Sequence, residues 1–424
     1  MMNFESEKDI LKCRFLLDNY NLDTLYNLAI IEFKQENYED SLRYLALAKK
    51  ICKDEDDTKL NFYIIENNKK LKSGELSKPI LNKSFLDRLV DEIVISLANN
   101  YYDNVDYVGM DAESPDIFNI NLKISVNDIL NHLDGISFLF QQLKDEKSKD
   151  LLLKIMAYRI LGHHKVKLPL NNTDYWKERK FIDSLKCTSD NIKVNFRNWI
   201  FYLFDLTKIG FDLKLYSNTV GVQTNFVQKQ YSHPEVKVEK GDYVIDAGGC
   251  YGDTALFFAH EVGMDGKVFS FEFIESNLSI FEKNININKN LSKRISIIKN
   301  PVWETSGIDL YLADMGPASI VSYHPFSSMK VKTISIDDFV FENKVPKIDF
   351  IKMDIEGAEL NALKGAKTTI LRHQPKLAIC LYHNAGDFSQ IFEYIMKLGI
   401  NYKFYLGHFT IWEGETVLFA QPLK

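Results

Sequence analysis

The sequence predicts an α/β protein: a Rossmann-like, doubly wound sheet of mostly parallel strands that ends in an antiparallel hairpin, preceded by an all-helical amino-terminal region. Three observations carry that expectation. From Tyr243 onward, short apolar runs of strand length alternate with longer stretches of helical spacing, the order that lays parallel strands side by side with helices on both faces. The last two strand-like runs, 402–406 and 416–420, are separated only by Gly407 to Glu415, too few residues for a crossover helix and enough for a hairpin. Before residue 75, by contrast, apolar and charged residues recur at spacings of three and four, and the first proline is Pro79.

Residues 1–75 are therefore expected to be helices. Within them, Leu25 to Ala29 followed by Phe33 to Ala48 resembles a single tetratricopeptide repeat, with Leu28, Ala29, Tyr38, Ser41, Leu45 and Ala48 at the packing positions. Ser41 replaces the usual alanine, and Glu32 stands where an aromatic is common. One repeat cannot bury its own face, so neighbouring helices must complete it. The segment then serves a protein partner or self-association, or it is a plain helical cap. Residues 76–207 read as mostly helical, with clear periodicity in Phe85 to Leu97 and Leu151 to Leu161 and a polar, turn-rich stretch from Asn99 to Asp116. Adjacent His163 and His164 point about 100° apart on a helix, which favours exposed side chains over a shared metal. Residues 208–231 alternate like short strands, 211–216 and 220–226, and lead into a domain over 208–424.

That domain is expected to run as a strand from Tyr243, a helix from about Thr254, strand 267–272, helix 276–289, strand 294–299, strands near 307–312 and 330–335, strand 348–353, helix 357–371, strand 376–382, helix 387–398 and the hairpin. The excursion over 306–334, centred on Gly316 and Pro317, is expected to lie over the site as a flap.

Everything in this domain turns on residues 243–254. An apolar run ends on Asp246, then Gly248, Gly249 and Gly252 arrive together, and helical spacing begins near Thr254. Strand, glycine turn and helix start make a ligand loop, because glycines let a ligand approach the main chain and the helix offers unpaired N–H groups. No Lys follows in the phosphate-loop pattern, and the turn opens with a carboxylate, which suits a cationic or amino-bearing ligand such as S-adenosylmethionine. About 20 residues beyond the glycines, the next strand ends on Glu272, where a carboxylate accepts hydrogen bonds from ribose hydroxyls. The plain alternative is that glycines after a strand merely turn the chain and that Glu272 is a solvated strand end. The expected cofactor set is Asp246, Gly248, Gly249, Gly252, Asp253, Thr254, Glu272, Phe273 and Asn300.

Composition narrows the class. A chain of 424 residues exceeds one ordinary domain, and its net charge of −6 argues against broad nucleic-acid binding. The five cysteines are scattered, with no Cys-x-x-Cys pair, as expected for a reducing, cytoplasmic setting; Cys250 reads as a small residue filling the turn. Apolar runs such as Trp199 to Phe204 are too short to span a bilayer, and the start does not resemble a signal peptide.

The stretches at 241–259, 266–273, 349–366, 375–388 and 407–420 together resemble the FkbM-type S-adenosylmethionine-dependent methyltransferases, most specifically in the Lys-x-Asp-x-Glu-Gly-Ala-Glu run from Lys352 to Glu359. The resemblance covers residues 208–424. It implies a class I methyltransferase sheet and an O-methyltransferase, often of glycan or natural-product pathways, and says nothing of the first 200 residues.

The residues themselves point the same way. Lys352 and Asp354 share a face of one strand by alternation, a buried lysine needs a partner, and ligands gather at the carboxyl ends of parallel strands. Glu356 sits at a helix start, where it favours either the helix dipole or the site. Glu359 reads as a surface helix residue, and His383 reaches the same rim from strand 376–382; His408 is a weaker candidate. The expected chemistry has His383 or Asp354 take the proton of a sugar hydroxyl while Lys352 orients the carboxylate. A divalent metal on Asp354 and Glu356 is the alternative, its ligand set unassigned. Two other classes stay open, a non-catalytic S-adenosylmethionine-binding adaptor using the amino-terminal helices and a nucleic-acid methyltransferase. Against the second, Asp354 is followed by Ile355, Glu356 and Gly357 rather than by the Pro-Pro-aromatic grip for a base.

Overall fold

The computed structural model describes residues 7–17, 21–51, 58–72, 84–97, 99–101, 126–194, 199–324 and 327–423. Contacts divide the chain into two compact units, one of Met1–Gln141, Lys149–Pro169 and Ile411–Glu413, the other of Gln142–Ser148, Leu170–Thr410 and Gly414–Lys424.

The first unit is helical: α1 (Glu7–Leu17), α2 (Leu22–Lys34), α3 (Tyr38–Ile51), α4 (Thr58–Lys72), α5 (Phe85–Leu97), α6 (Leu133–Gln142) and most of α7 (Glu146–Leu161). Helix α2 starts because the Asn21 side chain accepts the Asp23 N–H, and it ends on Lys34, a cation facing the negative end of the helix dipole. Ser41 is fully buried and donates to the Ala29 carbonyl at 2.8 Å, tying α3 to α2. Glu32, also buried, pairs with Lys8 at 2.5 Å and accepts from Asn37. Both departures from the repeat pattern thus became polar contacts within the helical packing. Residues 102–116 of the turn-rich stretch, and Cys52, lie outside the described residues.

A capping box opens α5. The Asp87 N–H donates to Ser84 Oγ at 3.1 Å, and the Ser84 N–H donates to Asp87 Oδ2 at 3.0 Å. Ser84→Ala should cost about 1 kcal/mol locally. Amide exchange over residues 85–97 is then expected to quicken roughly fivefold while the α/β unit is untouched; unchanged exchange would deny the cap its role.

The second unit opens with α8 (Thr173–Asp183) and a three-stranded antiparallel sheet of β1 (Lys186–Lys193), β2 (Ile200–Asp205) and β3 (Lys214–Ser217). The apolar run after Trp199 is thus a strand within the stretch expected to be mostly helical. Residues 220–226, expected as a strand, form two helical turns, Thr219–Val222 and Gln223–Val227. The reason is local: the Asn218 side chain accepts the Gly221 N–H at 2.7 Å and starts a helix where alternation suggested a strand.

The central sheet has seven strands, β4 (Tyr243–Ala247), β5 (Lys267–Phe271), β6 (Ile295–Ile298), β10 (Phe350–Met353), β11 (Lys376–Cys380), β12 (Tyr402–His408) and β13 (Thr416–Pro422), in the order β12-β13-β11-β10-β4-β5-β6. Strands β6, β5, β4, β10 and β11 are parallel, while β13 runs antiparallel to both β11 and β12, the expected closing hairpin. The middle strands carry nearly unbroken apolar runs because helices cover both faces; Val244, Ile245, Phe350, Ile351, Leu377 and Ile379 are wholly buried. Helices α9 (Asp253–Glu261), α10 (Glu275–Ile287), α11 (Ile336–Glu342), α12 (Glu359–Lys364), α13 (Lys367–His373) and α14 (Asp387–Lys397) complete the layers.

The single helix expected over 357–371 is two, broken at Gly365. A Cβ there would stand 2.1 Å from the Trp303 carbonyl oxygen, so the break falls at a point where the Trp303–Glu304 backbone packs so close that only glycine fits. The excursion between β6 and α11 is a small sheet of β7 (Asp309–Ala313), β8 (Ile320–Ser322) and β9 (Lys330–Lys332), with β7 in the middle. No helix among the described residues is long and apolar enough to cross a membrane.

Candidate functional site

At the carboxyl ends of β4, β5, β10 and β11 lies an open cleft, where ligands gather in sheets of this kind. Gly248, Cys250, Glu272, Phe273, Asn277 and Asn300 line one part of it; Asp354, Glu356, Tyr382 and Glu415 line another. Gly316, Pro317, Ser319 and Val321 of the small sheet complete the wall, where the flap was expected.

The turn after β4 is built by its own neighbours. The N–H groups of Gly248 and Gly249 both donate to the Phe271 carbonyl, which binds the turn to the end of β5. Gly248 has φ 86° and Gly252 φ 81°, angles that suit glycine, and Cys250 joins them at φ 44°. A Cβ on Gly248 would meet the Asp354 carbonyl oxygen at 1.9 Å, on Gly249 the Ser270 Oγ at 2.2 Å, and on Gly252 the Phe281 ring at 2.2 Å. Glycine is therefore required there for protein packing, and of the three only Gly248 lines the cleft.

Asp246 also departs from expectation. It is fully buried, pairs with Lys352 Nζ at 3.2 Å, and accepts from Ser270 Oγ at 2.7 Å and Thr254 Oγ1 at 3.1 Å. Its charge is spent inside the fold, so it does not greet a cationic ligand. Lys352 stands directly across from Asp246 in the β4–β10 register and also donates to the carbonyls of Ala247 and Gly248 at 3.1 and 2.6 Å. Burial opposes the lysine's charge, but Asp246 and Asp354 keep its pKa above the ordinary value. The lysine thus binds the glycine turn to β10, and its direct carboxylate partner is Asp246, not Asp354. Asp253 and Thr254 lie in the first turn of α9, outside the cleft lining; Asp253 accepts from Asn225 at 2.8 Å, and burial raises its pKa.

Glu272 does reach the cleft. Its Oε1 accepts the N–H groups of Phe273 and Ile274, both at 2.7 Å, and its Oε2 accepts from Asn277 at 3.3 Å. Burial outweighs these bonds and pushes its carboxyl up to about 7. Asn277 is buried, and its Oδ1 has no hydrogen-bond partner among the described residues, an acceptor in the cleft wall awaiting a donor. Asn300 lines the same space and donates to the Lys332 carbonyl at 2.9 Å.

Across the cleft, Asp354 is gripped by two phenols, Tyr231 donating to Oδ2 and Tyr382 to Oδ1, both at 2.8 Å. Burial pushes its pKa up, but His383, Lys352 and these hydroxyls win and hold it below the usual carboxylate range. His383 is not among the lining residues and stands behind Asp354, its Nε2 3.5 Å from Asp354 Oδ1 and 3.6 Å from Glu356 Oε2. Glu359, expected on the surface, is wholly buried: Oε1 accepts the Ile355 N–H at 2.8 Å and lies 3.2 Å from His383 Nδ1. Burial works against charge on His383, yet Glu359, Asp354 and Glu356 raise its pKa to about 10. Glu356 takes the left-handed φ of 55°, and burial lifts its carboxyl to about 7; burial and then Asp354 lift Glu415, which Gln230 contacts, to about 8. His408 is buried in the hairpin, with Nδ1 2.9 Å from Thr416 Oγ1, and does not line the cleft.

The sequence reading missed Asn277, Tyr382 and Glu415. Tyr382 adjoins His383 at the end of β11, a signal that was available; Tyr231 comes from far earlier in the chain, and nothing local marked it.

Residues 246–404 match the family profile described as the Methyltransferase FkbM domain. Among solved structures, the methyltransferase FkbM from Methylobacillus flagellatus KT is similar at 19% identity and a TM-score of 0.46, over 70% of this chain and 62% of that one. This chain therefore spans less than two thirds of that protein's length. Aeropyrum pernix fibrillarin, solved with S-adenosyl-L-methionine, matches at 10% identity and a TM-score of 0.33, over 55% of this chain and 93% of its own. An O-methyltransferase from Bacillus cereus in complex with SAH matches at 15% identity and a TM-score of 0.31, over 49% and 82%. No curated protein matches the chain. Over residues 246–404, the chain carries a methyltransferase domain of the FkbM family.

Proposed function

We propose that this protein is an S-adenosylmethionine-dependent O-methyltransferase acting on a sugar hydroxyl of a glycan precursor or a related small molecule. The observation that carries this reading is a single cleft with Glu272 and the unpartnered Asn277 Oδ1 on one part of its wall and the ionised Asp354 on another. The residues fit the cofactor: Glu272 would hold its ribose hydroxyls, Asn277 would offer a further acceptor, and Phe271, Phe273, Ile274 and Val302 give apolar walls for a base. S-Adenosylmethionine, when bound, supplies an electrophilic methyl group on a sulfonium.

Geometry favours Asp354 over His383 as the group that meets the acceptor, since Asp354 lines the cleft and the imidazole lies behind it. Asp354 accepts a hydrogen bond from the acceptor hydroxyl, fixes the oxygen in line, and receives its proton as the methyl–oxygen bond forms and the methyl–sulfur bond breaks. Tyr231 and Tyr382 hold that carboxylate in one orientation. The cleft is lined by Glu272, Asp354, Glu356 and Glu415 and, among the described residues, by no Lys or Arg, which suits a neutral acceptor better than the phosphates of a nucleic acid. The proposal assigns the chemistry to residues 208–424 and a partner-binding or self-association role to the repeat-like helices of residues 1–75. Free thiols at Cys13, Cys187, Cys250 and Cys380 support a cytoplasmic setting.

Calorimetry with S-adenosylhomocysteine, followed by methyl transfer to a panel of free, nucleotide-linked and lipid-linked sugars, tests the reading. Glu272→Gln replaces one of the two carboxyl oxygens by an amide that only donates and is expected to weaken the nucleoside about 10-fold, the weight of one or two hydrogen bonds. No binding by the unmodified chain, or equal binding by the variant, would sink the cofactor assignment; binding without turnover on any acceptor would favour the adaptor.

A further inference from the structure

Asp354, Glu359 and His383 converge where the end of β10, the first turn of α12 and the end of β11 meet, and each offers one ligand atom within 4.8 Å of the others. His383 Nε2 is 3.5 Å from Asp354 Oδ1 and 3.6 Å from Glu356 Oε2, whereas Nδ1, on the other edge of the ring, is 3.2 Å from Glu359 Oε1, so one ion takes one of these nitrogens and not both. Two donors that share a cation at about 2.1 Å lie roughly 3.0–3.5 Å apart in octahedral or tetrahedral arrangements. Neither ring nitrogen meets hydrogen-bond geometry with these carboxylates among the described residues.

A second observation is independent of that spacing. Glu359 is wholly buried, its Oε1 is engaged by the Ile355 N–H, and its Oε2 has no hydrogen-bond partner among the described residues. A buried carboxylate oxygen without a donor is costly, so the position calls for a cation. Lys352 is committed to Asp246 and two carbonyls, and the His383 imidazolium approaches only Oε1, so a bound ion takes the place of a ring proton and supplies the missing partner of Oε2.

We propose that Asp354, Glu359 and His383 hold a divalent cation, with Glu356 at the open side, 3.6 Å from His383 Nε2. Two carboxylates and one imidazole, with no thiolate, suit a divalent transition metal that accepts both oxygen and nitrogen, such as Mn²⁺, better than the all-oxygen preference of Mg²⁺. Asp354 and Glu356 both line the cleft, so an ion on the Nε2 side of His383, between the ring and these two carboxylates, would be open to an acceptor hydroxyl and would lower its pKa. Only this use of the ion rests on the methyltransferase reading; the ion's binding does not.

The test is a Mn²⁺ titration of the chelator-treated full chain, following free Mn²⁺ by electron paramagnetic resonance and, in the same samples, S-adenosylhomocysteine by calorimetry. One Mn²⁺ per chain is expected, bound at least tenfold more weakly by His383→Ala and by Glu359→Gln, and unchanged by Glu304→Gln, a half-exposed carboxylate outside the cleft lining. Since Glu359→Gln changes a buried group, thermal melts accompany it: Mn²⁺ should raise the midpoint of the unmodified chain and not that of His383→Ala. No binding at millimolar Mn²⁺, or binding that both variants retain, overturns the proposal. Nucleoside binding without Mn²⁺ binding refutes the cation site and leaves the cofactor reading standing, whereas the reverse pattern refutes the cofactor reading and leaves the cation site.

Discussion

Lys352→Met is expected to cost the α/β unit about 3–5 kcal/mol, read as a lower urea midpoint at unchanged slope. Methionine matches the lysine's length and apolar stem, so the loss isolates the charge. That charge is the cation facing Asp246, both side chains being at most 1% exposed, and its removal strands a carboxylate in the middle of a sheet. The carbonyls of Ala247 and Gly248 lose their donor in the same step, which loosens the turn that forms the floor of the cleft. A second replacement separates the causes. Asp246→Asn added to Lys352→Met removes the stranded charge and should restore part of the stability, a coupling that a double-mutant cycle measures. Had the lysine served only to orient Asp354, stability would hold and turnover alone would fall.

The lysine also marks where the sequence was legible. Its strand was plain from the apolar run Phe350 to Met353, as were the alternating helices and the short closing hairpin, because burial on both faces leaves a strong one-dimensional trace. That a buried lysine needs a partner was equally plain; which partner depends on the strand beside it, and register is not written within one strand. Asp246 looked like a ligand group for the same reason, although Thr254, Ser270 and Lys352 consume it. Glu359 looked exposed because acid at a helix start commonly is, whereas here its oxygen turns back onto the Ile355 N–H. Residues 220–226 misled because Val and Phe at alternate places fit a strand, while one Asn218 cap decided for helix. Local pattern shows the elements that are buried on both faces and misleads where one cap or one close backbone contact decides; the partners of polar groups come from chain segments far apart, as Tyr231 and Tyr382 do around Asp354.

Asp354→Asn is expected to lower kcat about 10²–10⁴-fold while S-adenosylhomocysteine affinity and the melting midpoint stay close to those of the unmodified chain. Asparagine keeps the shape, and its oxygen still accepts from one of the two phenols, while the other hydroxyl can turn to accept from the amide. What vanishes is the negative charge next to the acceptor. The nucleoside side of the cleft, around Glu272 and Asn277, is untouched, so the loss should fall on turnover and not on cofactor binding. His383→Asn provides the contrast, because the imidazole lies behind Asp354 and outside the cleft lining. If His383 itself received the proton, its variant would be the more damaged of the two, and the assignment to Asp354 would fail. The dependence on added Mn²⁺ then divides two ways in which the carboxylate could act. An Asp354 that works by holding a cation leaves a variant whose rate recovers in part as Mn²⁺ is raised, since the ion keeps Glu359 and His383 as ligands. An Asp354 that takes the proton directly leaves a variant that no concentration of Mn²⁺ restores.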